Sequence, residues 1–577
     1  MNRILAKGNL IMSLVWTAVF IVLFLSLQHL AAYHFFFMEQ WQNFFYDGTF
    51  VSSVLFQPGG LVRLIADFLV QFFRIPYCGA FVFSLMLTFT AWMTGRLLNR
   101  LAPQCRCSFL GLLPVIAIMF LQLNIDYQLS GTVAFFFCVI SLYYLTCLKS
   151  VRMRVFYSTI MAILLFILAG PIAVLFSVAV LLFGLLLHFR YCYLFLLPVL
   201  ATGMSAWIAM HLGIAGEYKY LLLPDGYFSW IVQAGNVIYQ PWIAFLIVFY
   251  VALLLHYVKN VKKILWQLGL VLQVIAIGYF AHYLFNSLYD SHDEFFKELS
   301  YYVRNGQWDN IIQRTQEVGS DNYLYQNCRN LALAEEGRLA DDLFNYSQDG
   351  LQSIYLTDVA SPYVSMLVGD IHLSMGHLAL AQRRIFEANE STGNSCAYAY
   401  QRLVEINLAY GAYPVAEKYI SLLEKTLYYK DWARSQRRFL RNDKAVMSDV
   451  FLSSLRRCIF PENCFSGQFG IDSDLMHIID HNPSHRISIQ YLGSMYLLIH
   501  DMEKFKAMIE RYYGTSALTV LPKAFQEGTV AAYEGNLQAL AKYHIPDSVM
   551  KGYQSFLRHE TVGENTYWNY LMHYRGN

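Results

Sequence analysis

Charge is scarce in this sequence, and its absence is concentrated in one half. Of 577 residues only 14% are Asp, Glu, Lys or Arg, against 56% hydrophobic, a balance that excludes an ordinary soluble protein and implies a membrane. Acids and bases become frequent only after about Asp290, which marks a domain boundary. Apolar runs almost without ionisable residues also argue against a transporter, which needs such groups along its pathway. The chain has no Gly-x-x-x-x-Gly-Lys loop, no dinucleotide fingerprint behind a strand and no basic tract. Nucleotide chemistry and nucleic-acid partners are therefore not expected. His477 and His481 have helical spacing, with Asp480 and His485 beside them, but the Glu of a His-Glu-x-x-His zinc motif is missing. They read as structural, and no metal site is expected. Among ten cysteines, Cys458 and Cys464 flank Pro461 and form a candidate disulfide outside the cytoplasm, with Cys328 and Cys396 a second pair. Cys105, Cys107 and Cys147 fall on the cytoplasmic side and should be free thiols.

What is present is a series of apolar runs. Residues 10–30 are about the 20 needed to cross the hydrocarbon core, longer than a signal-peptide h-region, so they read as a retained anchor rather than a cleaved signal. Further runs fall at 75–93, 109–123, 132–148, 155–169, 171–187, 193–212, 242–255 and 265–284. That makes about nine spans, several of them short for a crossing of roughly 30 Å. The pair broken at Gly170-Pro171 is either a hairpin of two spans or one kinked helix. As a hairpin, it places Arg96, Arg100, Arg106, Lys149, Arg152, Arg154, Arg190, Lys259, Lys262 and Lys263 on the same side as Arg3 and Lys7. Positive loops stay in the cytoplasm, so charge favours the hairpin, an N-terminus inside a bacterial inner membrane and a periplasmic C-terminal half. Aromatics, at 16%, suit residues at the headgroup boundary.

Three loops should face outward: 33–74, 124–131 and 213–240. The first opens with Tyr33, Phe35, Phe36 and Phe37, passes Glu39 and Asp47, and reaches Pro58-Gly59-Gly60. In residues 61–74 the only strongly polar side chains are Arg63, Asp67, Gln71 and Arg74, which at helical spacing share an arc of about 80°. This predicts an amphipathic helix lying flat in the interface with its polar stripe toward water. Pro58 and the amides of Gly59 and Gly60 either seat an anionic headgroup or phosphate at the helix start or form only a turn.

The stretches Glu39-Gln40, Gln57-Pro58-Gly59-Gly60-Leu61, Phe68-Leu69-Val70-Gln71-Phe72-Phe73, Pro76 and Gly79-Ala80 resemble a family of uncharacterised multi-pass membrane proteins from Bacteroidota. More loosely, the layout resembles the GT-C glycosyltransferases that use polyprenyl-phosphate sugars. Those enzymes place an acidic residue in the first outer loop, follow it with a juxtamembrane helix, and in some eukaryotic members add a tetratricopeptide domain. Typical members carry an acidic pair near the start of that loop, whereas here Glu39 precedes Gln40 and Asp47 stands alone.

Such a transfer needs a base for the acceptor and a cation or divalent metal for the phosphate. The resemblance offers Glu39 or Asp47 as base, with a pKa raised by partial desolvation. Arg63, Arg74 and Lys219 are the candidate phosphate contacts, or else anchors at lipid headgroups. Asp126, Glu217 and Asp225 are the remaining outer-loop acids.

Residues 290–577 read differently. Helix pairs turn at Gly306, Gly337, Gly376 and Gly411, spaced 31, 39 and 35 residues apart, which brackets the 34-residue tetratricopeptide period. Ala381 and Ala416 fall where the second helix should pack closely, and a further pair at 488–513 has Asp501 in place of the turn glycine. Stacked pairs make a concave surface, so a peptide, protein partner or acceptor is the expected ligand. The fold expected is therefore all-α: a polytopic domain over 1–285 and an extracytoplasmic repeat domain over 290–577. Two functions follow, a GT-C-like transferase at the outer leaflet or a non-enzymatic envelope scaffold whose repeats recruit partners.

Overall fold

The computed structural model describes residues 2–105, 107–214, 216–258, 263–319, 322–357, 361–459, 470–558, 560 and 565–573, with backbone alone before Leu10 in the first helix and at Lys263. Arg106, Lys259, Lys262 and the Cys464 half of the expected disulfide lie outside the described residues. Every extended element among the described residues is a helix, and two isolated bridges, Tyr127 with Phe228 and Tyr513 with Leu518, are the β-pairings.

The chain divides into two units, one of residues 1–294 with the four-residue segment Lys425–Tyr428, the other of the remaining residues. Among the described residues of the first, seven helices are long and apolar enough to cross a membrane: Leu10–Leu30, Cys78–Leu101, Leu129–Cys147, Val151–Ala169, Phe189–His211, Asn236–Leu255 and Ile264–Leu288. Two more expected spans are shorter apolar helices, Ser108–Gln122 and Ile172–Leu187. At Gly170-Pro171 the chain reverses. Gly170 has φ +76°, a region open to glycine at no steric cost, and helices Val151–Ala169 and Ile172–Leu187 pack on each other.

The loop after the first helix folds into three short helices, Ala32–Trp41, Gly48–Leu55 and Gly60–Val70, closed by a 3-10 turn, Gln71–Arg74. The third of these corrects the sequence expectation. It packs on Leu129–Cys147 and Val151–Ala169, and two of its four stripe residues, Asp67 at 8% and Gln71 at 4% exposure, face inward. The aromatic segment before it covers that stripe: the Phe44 and Phe68 rings meet edge to face at 5.6 Å, and the Tyr46 hydroxyl donates to Gln71 Oε1 at 3.2 Å. A row of four polar residues is thus half buried under rings instead of lying open to water.

The second unit is built from helical hairpins, among them Ser291–Arg304 with Trp308–Val318, Pro362–Ser374 with Leu378–Ser391, and Ala397–Tyr410 with Tyr413–Leu423. Gly306, Gly337, Gly376 and Gly411 all turn with positive φ, as the spacing anticipated, and Ala381 and Ala416 are fully buried. In the pair Arg486–Leu498 and Met502–Tyr512 the work of the missing glycine is divided. His500 takes the left-handed conformation at φ +58°, while Asp501 caps the second helix by accepting from the Lys504 amide at 3.1 Å. Cys328 and Cys396 are buried free thiols, which removes the second disulfide pair. Cys458 is free as well, its Sγ accepting from Asn482 Nδ2 at 3.2 Å. Asp480 accepts from Arg511 and Tyr512 at 2.6 and 2.9 Å, and the His481 ring bonds the His477 carbonyl.

Candidate functional site

The two outer-loop acids proposed as bases occupy different environments. Glu39, on helix Ala32–Trp41, is buried at 2% exposure, and its backbone carbonyl accepts from Asn43 Nδ2 at 3.2 Å. Asp47 starts the helix Gly48–Leu55 and takes the Thr49 hydroxyl as donor. Lys425 Nζ stands 3.2 Å from its Oδ1, and the Tyr46 amide donates to the Lys425 carbonyl at 2.6 Å. The Thr49 hydroxyl first, and then Lys425, hold the Asp47 carboxyl below the ordinary carboxylate range. This corrects the expected upward shift: hydrogen bonds to the charged form outweigh what little desolvation the site provides, and the result is a weaker base.

Lys425 and Tyr428 belong to this site although they lie far along the chain, where the sequence reading expected only repeat helices. Burial is the first cause that pushes the Tyr428 hydroxyl up, with Cys78 and Glu39 adding to it and Arg74 opposing it. Among the described residues no three His, Cys, Asp or Glu side chains come together to hold a metal ion.

The remaining candidates are drawn elsewhere. Gly59 and Gly60 do not offer free amides: Gly59 N donates to Ile167 O at 3.0 Å and Gly60 N to Gln57 O at 2.9 Å. A Cβ on Gly60 would stand 2.1 Å from Val54 O, and one on Gly59 3.4 Å from Gly170 Cα. The Pro-Gly-Gly turn exists so that its backbone can lie against the Gly170 reversal, which leaves the phosphate-seat reading without its donors. Tyr227 ties the same reversal from the third outer loop, donating to Ala169 O and accepting from Ile172 N. Arg63 pairs loosely with Asp67 at 3.8 Å, a carboxyl that burial pushes up to about 6 against the Arg63 charge. Lys219 is committed to Asp225 at 3.0 Å, and Asp225, buried at 3%, also accepts from the Tyr239 hydroxyl at 3.0 Å.

The second unit holds a site that the sequence reading did not single out, a groove of about 1170 Å³. One wall is the segment 343–357, which makes only short 3-10 turns where a repeat would place a helix. A row of buried polar side chains on helix Tyr323–Glu335 pins it. Asn327 Nδ2 donates to Gln352 O at 2.7 Å, Arg329 Nη2 to Ser347 O at 2.9 Å, and Asn330 Nδ2 to Ser353 O at 2.9 Å. Gln326 exchanges bonds with Asp349 at 3.2 Å. The Arg329 guanidinium lies 4.4 Å over the Tyr346 ring, and burial lowers it to about 10. The available signal was the run Gln326-Asn327-Cys328-Arg329-Asn330, polar at positions where a repeat helix would bury apolar side chains.

Compared with known proteins, the chain matches a family described as a family of unknown function, DUF6057, over residues 7–574, and so belongs to it. No curated protein and no solved structure matches.

Proposed function

We propose that this member of the family is a membrane-anchored binding protein, whose first unit crosses the bacterial inner membrane nine times and whose second unit engages a partner or acceptor in the periplasm. Parity supports the location. Counting or omitting both short helices, Ser108–Gln122 and Ile172–Leu187, leaves an odd number of crossings. Only the nine-span count keeps Lys149, Arg152 and Arg154 on the same side as the other basic loops.

The observation that carries the binding reading is the commitment of the polar groups in the outer loops. Asp47 is held by Lys425 and Thr49, Asp225 by Lys219 and Tyr239, and the Gly59 and Gly60 amides by carbonyls. The second unit, by contrast, keeps a large groove with a rigidly held wall. A second reading, a GT-C-like transferase using a polyprenyl-phosphate sugar, draws on the first outer loop, whose sequence carries both Glu39 and Arg74. There an acid would serve as base and an arginine as the phosphate contact.

Complementing a deletion strain with single variants separates the two, read by mass spectrometry of envelope glycans and lipid-linked sugars. Binding predicts that Glu39→Gln restores the wild-type profile while a groove variant, Tyr323→Ala with Gln352→Ala, reproduces the deletion. The reverse pattern, with a lipid-linked intermediate accumulating in a stably made Glu39→Gln strain, would replace binding with transfer.

A further inference from the structure

The groove in the second unit has an unusual lining for a helical repeat surface, and its chemistry narrows the ligand. Aromatic rings come from Tyr323, Phe344, Tyr346, Tyr355 and Tyr570. Phe344 and Tyr570 stand 5.2 Å apart as one continuous aromatic wall, and Tyr323 is 45% exposed at the opening helix turn. Carboxamides make up much of the remainder. Those of Asn345 and Gln348 are spent within the unit, on Asp342 and on Leu343 with Asn330, but Gln352 and Asn565 are exposed at the groove. Among the described residues of the lining, Asp349 and His573 are the titratable groups besides the tyrosines, and the Lys523 ammonium reaches the rim, donating to Asn345 Oδ1 and the Asn565 carbonyl.

Each of these features excludes a ligand class. Nucleic acid and phosphorylated ligands need clustered Lys and Arg, and the described lining presents no such cluster, Lys523 at the rim being held by Asn345 and Asn565. Among peptide modes, strand addition needs a sheet edge, an amphipathic helix needs a continuous apolar trough, and acidic motifs need an arginine cluster. The lining provides none of the three. What the groove does provide is flat aryl faces for weakly polar C–H surfaces, beside amides that both donate and accept. Its volume also exceeds the roughly 300–1,000 Å³ of small-molecule pockets, so it suits an extended ligand.

We infer that this groove binds an uncharged oligosaccharide, with sugar rings stacked on Tyr323 and the Tyr346–Tyr355 side and hydroxyls bonded by Gln352 and Asn565. The inference rests on the binding reading above and adds the ligand class. Because Asn327, Arg329 and Asn330 hold the 343–357 wall in place before any ligand arrives, little ordering cost remains to be met on binding.

The test uses the purified full-length chain in detergent against an array of neutral oligosaccharides of four to eight units. Hits are followed by calorimetry, with decaproline as the peptide control. The expected result is saturable binding of at least one neutral glycan, weakened by about ten-fold or more in Tyr323→Ala and in Gln352→Ala. It should be unchanged in Tyr410→Ala, an exposed tyrosine outside the groove. No glycan binding, or decaproline binding that Tyr323→Ala abolishes, would overturn the oligosaccharide assignment. The binding reading would still stand if the groove variants reproduce the deletion in cells, so the two fail separately.

Discussion

One helix of the first unit and one cluster of the second answer their buried polar groups by different means. In the first unit the hydroxyls of the helix Cys78–Leu101 are answered within that helix. Ser84 donates to Ala80 O at 2.6 Å, Thr88 to Ser84 O at 2.8 Å, Thr90 to Met86 O at 2.7 Å and Thr94 to Thr90 O at 2.8 Å. In the second unit buried charge is answered across elements. Arg402 Nε donates to Asp370 Oδ1 at 2.9 Å, Tyr398 donates to the same carboxylate at 3.0 Å, and His377 pairs with Asp474 at 3.0 Å. A hydroxyl finds a carbonyl one turn back in its own helix, whereas a buried charge needs a partner that another segment brings. The first unit uses both means, since Tyr227 ties Ala169 to Ile172 and Ser177 meets Thr202 across helices. Close approach in the first unit comes instead from backbone against backbone, as where Gly59 meets Gly170.

This contrast can be broken at its strongest point first. Gly60→Ala should prevent accumulation of folded protein, since its Cβ would sit 2.1 Å from a backbone oxygen that cannot rotate away. Gly203→Ala, with nothing within 4 Å of its Cβ, should be neutral or gain roughly 0.5–1 kcal/mol of helix propensity. Detergent-extracted yield and melting temperature compare the two; equal behaviour would mean that backbone contact does not govern this unit.

Next in size is the buried ion pair. Arg402→Met should cost the second unit about 3–5 kcal/mol by stranding Asp370 and Glu405, both of which it holds, and adding Asp370→Leu should recover part of it. Denaturant titration followed by tyrosine fluorescence gives both values, and a double variant no better than the single would mean the pair is not an isolated partnership.

A third, slightly smaller effect depends on pH. Glu527, buried at 3%, accepts from the Tyr567 amide at 2.6 Å, and burial raises its carboxyl from 4.5 to about 7. With the folded value above the unfolded one, the native state binds the extra proton. The stabilising contribution is therefore complete below about pH 4.5 and lost as pH rises through about 7. Glu527→Gln should gain up to about 3 kcal/mol above pH 8 and nothing below pH 4, at roughly 1.4 kcal/mol per pKa unit. Melting temperatures of the two proteins across that range check the sign, and a gain at low pH instead would reverse it.

The smallest effect sharpens the contrast from the other side. Thr94→Ala removes a bond made only within its own helix and should change stability by less than about 0.5 kcal/mol. A loss comparable to Arg402→Met would show that the membrane helices also lean on their side-chain hydroxyls.

Legibility in the sequence followed the same divide. The apolar runs and the four glycine turns were readable because run length and turn conformation are properties of a few adjacent residues, whereas at Gly170-Pro171 the adjacent residues left a hairpin and a kinked helix open and only the placing of basic loops favoured the hairpin. The helix at residues 61–74 was readable as a helix but not in its orientation. An arc of four polar residues indicates amphipathicity, yet whether water or a neighbouring ring covers Asp67 and Gln71 depends on Phe44 and Tyr46, which are not part of that periodicity. At the candidate site, Glu39 and Arg74 were named from the outer loop. Lys425 beside Asp47 was not, since it sits in a stretch whose own pattern reads as repeat helix.

Composition and periodicity are sums over neighbours in the chain, so they establish a first half of apolar helices long enough to cross a membrane, a more polar helical second half, the boundary near residue 290 and the positions of the turns. Partnerships between distant segments carry no such signature. That Asp47 meets Lys425, that Gly59 lies on Gly170, and that the wall 343–357 is held by Asn327, Arg329 and Asn330 emerged only once the helices had packed. Each depends on geometry that the chain acquires by burying surface elsewhere.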